Sequence, residues 1–245
     1  MRLLVLILTL FFNQLLFAQK LIIGTLAFYP PFVTLADKQH FYGFDIDIMQ
    51  EICKRLQTEC TFKAIQFSEL FPSLAAKKID LAVAGITITP ERSASYLFSL
   101  PYLTSGAQFM TKASSALNNL EDIKGKKVGV VLGTIFSATV HDLFKESVTT
   151  IEYKNQQEQM QALDNEQIDA VLFDAASAGY WTANNNNLFK LVGPNIPSGY
   201  GYGIMTTNDN GALISKINLI LENMEKDGSY LKIYSNYFGN MTPKT

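Results

Sequence analysis

The chain has 245 residues, 48% of them hydrophobic and 17% charged, with Lys+Arg 20 against Asp+Glu 22 and a net charge of -2. That length fits one large domain or two small ones, each with its own core, and the near-neutral balance offers no basic surface for nucleic acid. Cys53, Cys60, His40 and His141 are too few and too scattered to make a zinc site.

Met1-Arg2 carries one positive charge ahead of an apolar run from Leu3 to Leu10, and Phe11 to Phe17 continues that tone up to Ala18. This pattern reads as a secretory signal peptide over residues 1–18. Asn13-Gln14 interrupt the run, which falls short of the ~20 residues that a spanning helix needs. An exported chain meets an oxidising compartment, so Cys53 and Cys60 are expected to form a disulfide. The loop is short, and the chain-entropy account gives such a bond about 2–3 kcal/mol.

From there strand-like and helix-like segments alternate. LIIGTLA (21–27) reads as a buried strand. FDIDIMQEICKRL reads as a helix with Phe44, Ile48, Ile52 and Leu56 on one face. CTFKAI is the next strand, SELFPSLAAKKI a helix with Ser68 as its cap, and DLAVAGI a strand again. After the polar segment LNNLEDIKGKK the same grammar returns, with strands at KVGVVLG, TTIEYK and DAVLFD and helices at IFSATVHDLFKE and QEQMQALDNE. GALISKINLILENMEKDG closes the chain as a helix, with Leu213, Ile217, Leu221 and Met224 on one stripe and Gly228 as its stop, and SYLKIYSNYF adds a short amphipathic helix. Alternation of this kind predicts two α/β units with mainly parallel sheets. Ligands of such sheets sit beyond the carboxyl ends of the strands.

Those ends hold the candidate residues. In AGITITPER, Thr89 suits a helix N-cap, Pro90 the first turn, and Arg92 supplies a planar fork for a carboxylate, with Thr87 and the backbone of Gly85 on the approach. A solvated arginine beside an ordinary cap is the plainer alternative. Gly133-Thr134 end a strand before a helix, where backbone amides can meet an anion. Asp174 ends another strand and serves either as an ammonium acceptor or as a helix cap. Tyr29 and Phe67 each follow a strand and belong either to the cleft mouth or to the core.

The segments GFDIDIMQEICKRL, ECTF, FSELFPSLAAKKIDLAVAGITITPER and FSLPY resemble the periplasmic polar amino-acid-binding proteins of ABC importers, the family 3 solute-binding proteins. LEDIKGKKVGVVLGT, IDAVLFD and EKDGSYLKIYSNYF follow in the family's order, and the Cys53/Cys60 spacing and ITPER look like those of its arginine-binding and lysine/arginine/ornithine-binding members. The resemblance implies a two-lobed α/β fold of the periplasmic-binding-protein type II, with a ligand cleft between lobes joined by hinge strands. Residues 19–105 and 206–245 would form the first lobe, and residues 106–205 the second with the hinge crossings.

Carried over position by position, it implies that Arg92 clamps a ligand α-carboxylate, that Gly85 and Thr87 hydrogen-bond the amino-acid backbone, and that Thr134 adds a contact from the second lobe. Asp174 would take the α-ammonium, Tyr29 and Phe67 would sandwich the side chain, and Asp45 would stand near its far end. The ligand implied is a free L-amino acid, arginine first and other basic amino acids next. Leu26 stands where some cation-binding relatives place an acid, so glutamine or another neutral polar amino acid is the alternative. An exported cyclohexadienyl dehydratase is the rival from another class, and it would need a positioned general acid. The resemblance otherwise implies no enzymatic activity, no cofactor, a periplasmic monomer, and an inner-membrane ABC permease as partner.

Overall fold

The computed structural model describes residues 20–38 and 40–239, so the signal-peptide reading of residues 1–18 lies outside the described residues. The chain runs through β1 (Leu21–Thr25), the short meander β2 (Phe28–Tyr29), β3 (Val33–Leu35) and β4 (Phe41–Tyr42), then α1 (Phe44–Leu56), β5 (Cys60–Ala64), α2 (Phe67–Ala75) and β6 (Leu81–Ala82). Next come α3 (Pro90–Ser93), β7 (Leu97–Phe98), β8 (Gly106–Lys112), β9 (Lys127–Val131), α4 (Phe136–Phe144), β10 (Thr149–Tyr153) and α5 (Gln156–Asp164). The remainder is β11 (Ala170–Asp174), α6 (Ala175–Asn184), β12 (Phe189–Pro197), β13 (Met205–Thr206), α7 (Gly211–Lys226) and α8 (Ser229–Phe238).

Two five-stranded sheets organise these elements into two lobes, in the orders β5-β1-β6-β13-β7 and β10-β9-β11-β8-β12. β1 pairs in parallel with β5 and β6, and β9 in parallel with β10 and β11, as strands joined through helices do. The sheets are nonetheless mixed. β8 and β12 run antiparallel in the second, and β13 is antiparallel to both β6 and β7 in the first. These antiparallel strands flank the two segments, 99–105 and 198–204, by which the chain passes between sheets.

Helix α1 follows from its residues. Phe44, Ile48 and Ile52 are fully buried, and Asp45 and Asp47 lie in the first turn, where the helix dipole favours negative charge. It stops at Gln57, which turns left-handed while Thr58 N–H donates to Cys53 O at 3.0 Å and Gln57 N–H to Lys54 O at 3.1 Å. The Cys53–Cys60 disulfide closes this turn against the start of β5, with Cα atoms 6.2 Å apart. Three apolar clusters fill the lobes. One packs β1 and β6 against α1, α7 and α8, a second lies under α2 on the opposite face, and the third is the core of the second sheet.

Three local expectations change. Ser68 is not the cap of α2: the helix begins at Phe67, and Gln66 ahead of it makes no side-chain cap bond. The strand expected over DLAVAGI is paired only at Leu81–Ala82, because the chain bends away toward Gly85. In α7, Ile214 replaces Leu213 on the fully buried stripe.

Candidate functional site

The carboxyl ends of β1, β6, β9 and β11 open on one cleft of about 240 Å³ between the sheets. Its first-lobe wall is made by the loops after β1 and β6 and by the start of α2. Thr89 is extended and its Oγ1 accepts from Arg92 N–H at 3.2 Å, which starts α3 and sets the arginine one turn inside. The guanidinium then turns back. Nη1 donates to Thr87 O at 2.9 Å, Nη2 donates across the cleft to Gly133 O at 3.2 Å, and the group lies over the rings of Phe67 and Phe71 at 5.5 and 5.1 Å. Desolvation brings its pKa down to about 10, against the pull of Asp174 and Glu91. Among the described residues it makes no ion pair.

Gly133 has φ +82, and a Cβ there would sit 3.0 Å from Ser68 Cα, so glycine lets the second lobe come this close to α2 without crowding or backbone strain. Thr134 follows, with its hydroxyl donating to Val131 O at 2.6 Å and accepting from Phe136 N–H at 3.4 Å, which places it at the mouth of α4.

Asp174 ends β11 and is 4% exposed. It occupies the cap position of α6 but makes no side-chain cap bond. Instead the hydroxyls of Tyr29 and Tyr202 donate to its two oxygens, the latter at 2.5 Å. Burial raises its pKa to about 6, opposed by the tyrosine bonds and by the charge of Arg92. Ser177 Oγ donates to Pro30 O at 2.7 Å, Phe28 meets Trp181 edge to face at 6.2 Å, and Ala176 packs on the first-lobe core, so α6 and the Asp174 ahead of it are tied to the first lobe.

Tyr29, Phe67, Gly85, Thr87, Arg92, Thr134 and Asp174 all line this cleft. Asp45 does not. It is fully buried beneath the wall, where Oδ2 accepts from Gly85 N–H at 2.8 Å and Oδ1 from Tyr102 O–H at 2.9 Å. Burial raises its pKa to about 7, opposed by those two bonds. The expectation that Asp45 stands near the far end of a ligand side chain is therefore corrected: one oxygen holds Gly85, whose φ is +56, in place and the other holds the Tyr102 hydroxyl. Sequence reasoning missed Tyr202, Lys154 and Gln156. Tyr202 lies in a glycine-rich crossing, and the other two precede and open α5 with no local signal of a cleft.

A guanidinium on one wall and a carboxylate on the other are complementary to a zwitterion. Residues 21–240 match the bacterial extracellular solute-binding proteins, family 3. The chain belongs to that family. This family 3 solute-binding protein is 36% identical over 225 residues to the ABC transporter arginine-binding protein 1 of Escherichia coli (strain K12), covering 90% of this chain and 91% of the other. It is similar to the crystal structure of an arginine 3rd transport system periplasmic binding protein from Legionella pneumophila, at 42% identity and a TM-score of 0.86, over 89% of this chain and 99% of that one. An ancestral arginine-binding protein bound to glutamine aligns at 38% identity with a TM-score of 0.83, over 90% and 98% of the two chains. In this solute-binding protein the two connecting segments meet where Tyr202 bridges to Leu103, and Tyr202 also bridges to Thr87 on the cleft wall.

Proposed function

We propose that the protein captures a free L-amino acid, arginine first and other basic amino acids next, as the substrate-binding component of an amino-acid ABC importer. The observation that carries this reading is the meeting of Arg92 and Asp174 from opposite walls of one cleft. Arg92 holds the α-carboxylate with help from Thr134, and Asp174 takes the α-ammonium. The Gly85 carbonyl and Thr87 complete the backbone contacts, its N–H being already given to Asp45. Tyr29 and Phe67 flank the side chain. Residues 19–105 and 206–245 act as one lobe and 106–205 as the other, and ligand groups that touch both favour the closed arrangement by their differential affinity.

The protein works as a periplasmic monomer after removal of residues 1–18, delivers its ligand to an inner-membrane permease, and catalyses no reaction. Asp174, the one acid among the described lining residues, has both oxygens held by tyrosine hydroxyls, which suits a fixed acceptor more than a proton donor.

The test is thermal unfolding of the chain from residue 19 onward with the twenty L-amino acids, citrulline and ornithine. A ligand that binds only the folded state at 100 Kd adds about 2.7 kcal/mol. Arginine is expected to raise the midpoint most, and Arg92→Ala to abolish every shift. Micromolar binding retained by Arg92→Ala, or prephenate turnover by the purified protein, would overturn the reading.

A further inference from the structure

Asp174 is served by two tyrosines that differ in one respect. Tyr29 lines the cleft, whereas Tyr202 does not and is 0% exposed. Whatever Tyr202 does for a ligand is therefore done through Asp174.

Tyr202 is fixed from several sides. It sits on the crossing segment 198–204, where its N–H donates to Leu103 O at 2.8 Å and its carbonyl accepts from Tyr102 N–H at 2.9 Å, which stitches it to the other crossing. On either side of it, Ile88 N–H donates to Gly201 O at 2.8 Å and Gly203 N–H to Ile86 O at 3.0 Å, so the cleft wall that carries Thr87 holds the same backbone. Its ring meets Phe32 of the first-lobe core edge to face at 5.4 Å. A side chain packed in this way has one place for its hydroxyl, 2.5 Å from Asp174 Oδ1 at the end of β11 in the other sheet. Burial, and then the charge of Asp174, push that hydroxyl well above the ordinary tyrosine range, so it stays a donor at any working pH. A carboxylate has about four acceptor sites. Two hydroxyls leave room for an ammonium while fixing where the remaining sites point.

We propose that Tyr202 is a positioning residue for amino-acid capture: from the crossing segment it aims the Asp174 carboxylate at the ligand α-ammonium and holds it as an anion. The inference rests on the amino-acid-binding reading above and adds the residue that makes its ammonium site work. Hydrogen bonds to the ionised form favour that form, and the neighbours of Asp174 set the balance: Tyr29 donates to Oδ2, Arg92 opposes protonation by its charge, and Asp45 and Tyr102 lie in the same field. The Asp174 pKa of about 6 holds with both hydroxyls in place. Loss of the Tyr202 bond moves it upward, and affinity for an ammonium, present above that pKa and lost as pH falls through it, then fails at a higher pH.

Calorimetric titration of the chain from residue 19 onward with arginine and with des-amino arginine (guanidinovaleric acid), which lacks the α-ammonium, tests it across the neutral range in the native protein, Tyr202→Phe, Asp174→Asn and the double variant. Tyr202→Phe keeps the ring and removes only the hydroxyl. It is expected to weaken arginine about tenfold at neutral pH and to move the pH at which arginine affinity falls upward by about one unit, with the des-amino analogue unaffected. In the Asp174→Asn background the same change should cost arginine less than about threefold, because the two residues act as a unit. If Tyr202→Phe leaves arginine affinity and its pH profile unchanged, weakens both ligands equally, or costs as much in the Asp174→Asn background, this inference is overturned while the arginine reading stands. If the native protein binds no amino acid, both are overturned.

Discussion

Asp45 and Gly133 show how single residues decide the cleft without facing a ligand. Removing the Asp45 carboxylate leaves the Gly85 N–H and the Tyr102 hydroxyl without acceptors inside the core, and each such orphan costs about 1–3 kcal/mol. Asp45→Ala is expected to lower stability by about 2–6 kcal/mol in urea unfolding, with Asp45→Asn milder and the order of amino-acid affinities unchanged in both. A selective loss of basic ligands in Asp45→Asn would instead give the acid a direct role. Gly133→Ala adds a methyl that meets the Ser68 backbone at 3.0 Å and strains a φ of +82. The expected result is an affinity loss of tenfold or more for every amino acid, since lobe approach itself is obstructed; an unchanged Kd would show that the cleft closes without this contact. Asp174 was legible because it ends a strand, and Gly85, Thr87 and Arg92 because they lie between an apolar strand segment and a Thr-Pro helix start, positions that local sequence marks. Gln156 and Tyr202 were not, because their significance comes from Ser177 and Asp174, 21 and 28 residues away.

Elements differ in legibility for a similar reason. α1 could be read to its ends because its apolar spacing, acidic first turn and following cysteine all agree, and it is found over Phe44–Leu56. β8 and β12 were invisible. β8 is buried on both faces over six of its seven residues and so shows no alternation, and β12 shifts register between Val192 and Ile196. Short strands such as β7 and β13 acquire their identity only from pairing, β7 with β13 and β13 with both β6 and β7. The join between α1 and β5 is where covalent chemistry reinforces an element boundary. Replacing both Cys53 and Cys60 by serine is expected to cost about 2–3 kcal/mol, measured by urea unfolding, with amino-acid affinity unchanged because the bond lies away from the cleft lining.

At the scale of the molecule, two acids buried in one field govern pH behaviour. Asp174 and Asp45 have folded pKa values raised to about 6 and about 7, above their ordinary 3.8. The folded state thus holds their protons longer than the unfolded chain does, and the penalty for ionising them grows as pH rises from about 4 to about 7. Ligand-free protein should melt at a higher temperature at pH 5 than at pH 7.5, and Asp174→Asn should flatten that difference. Ligand binding should move the other way. An ammonium needs the ionised Asp174, so affinity is expected to fall about tenfold between pH 7 and pH 5, with a proton released on binding near pH 6. Affinity that is flat over this range would remove Asp174 from the ammonium site.

The edge-to-face pair of Phe28 and Trp181 has a practical corollary. The chain contains one tryptophan, and it lies on α6 against a ring of the opposite lobe. Its emission is therefore an uncontaminated optical gauge of lobe separation, native to the molecule, so stopped-flow fluorescence can time the approach of the lobes without a label or a second reporter.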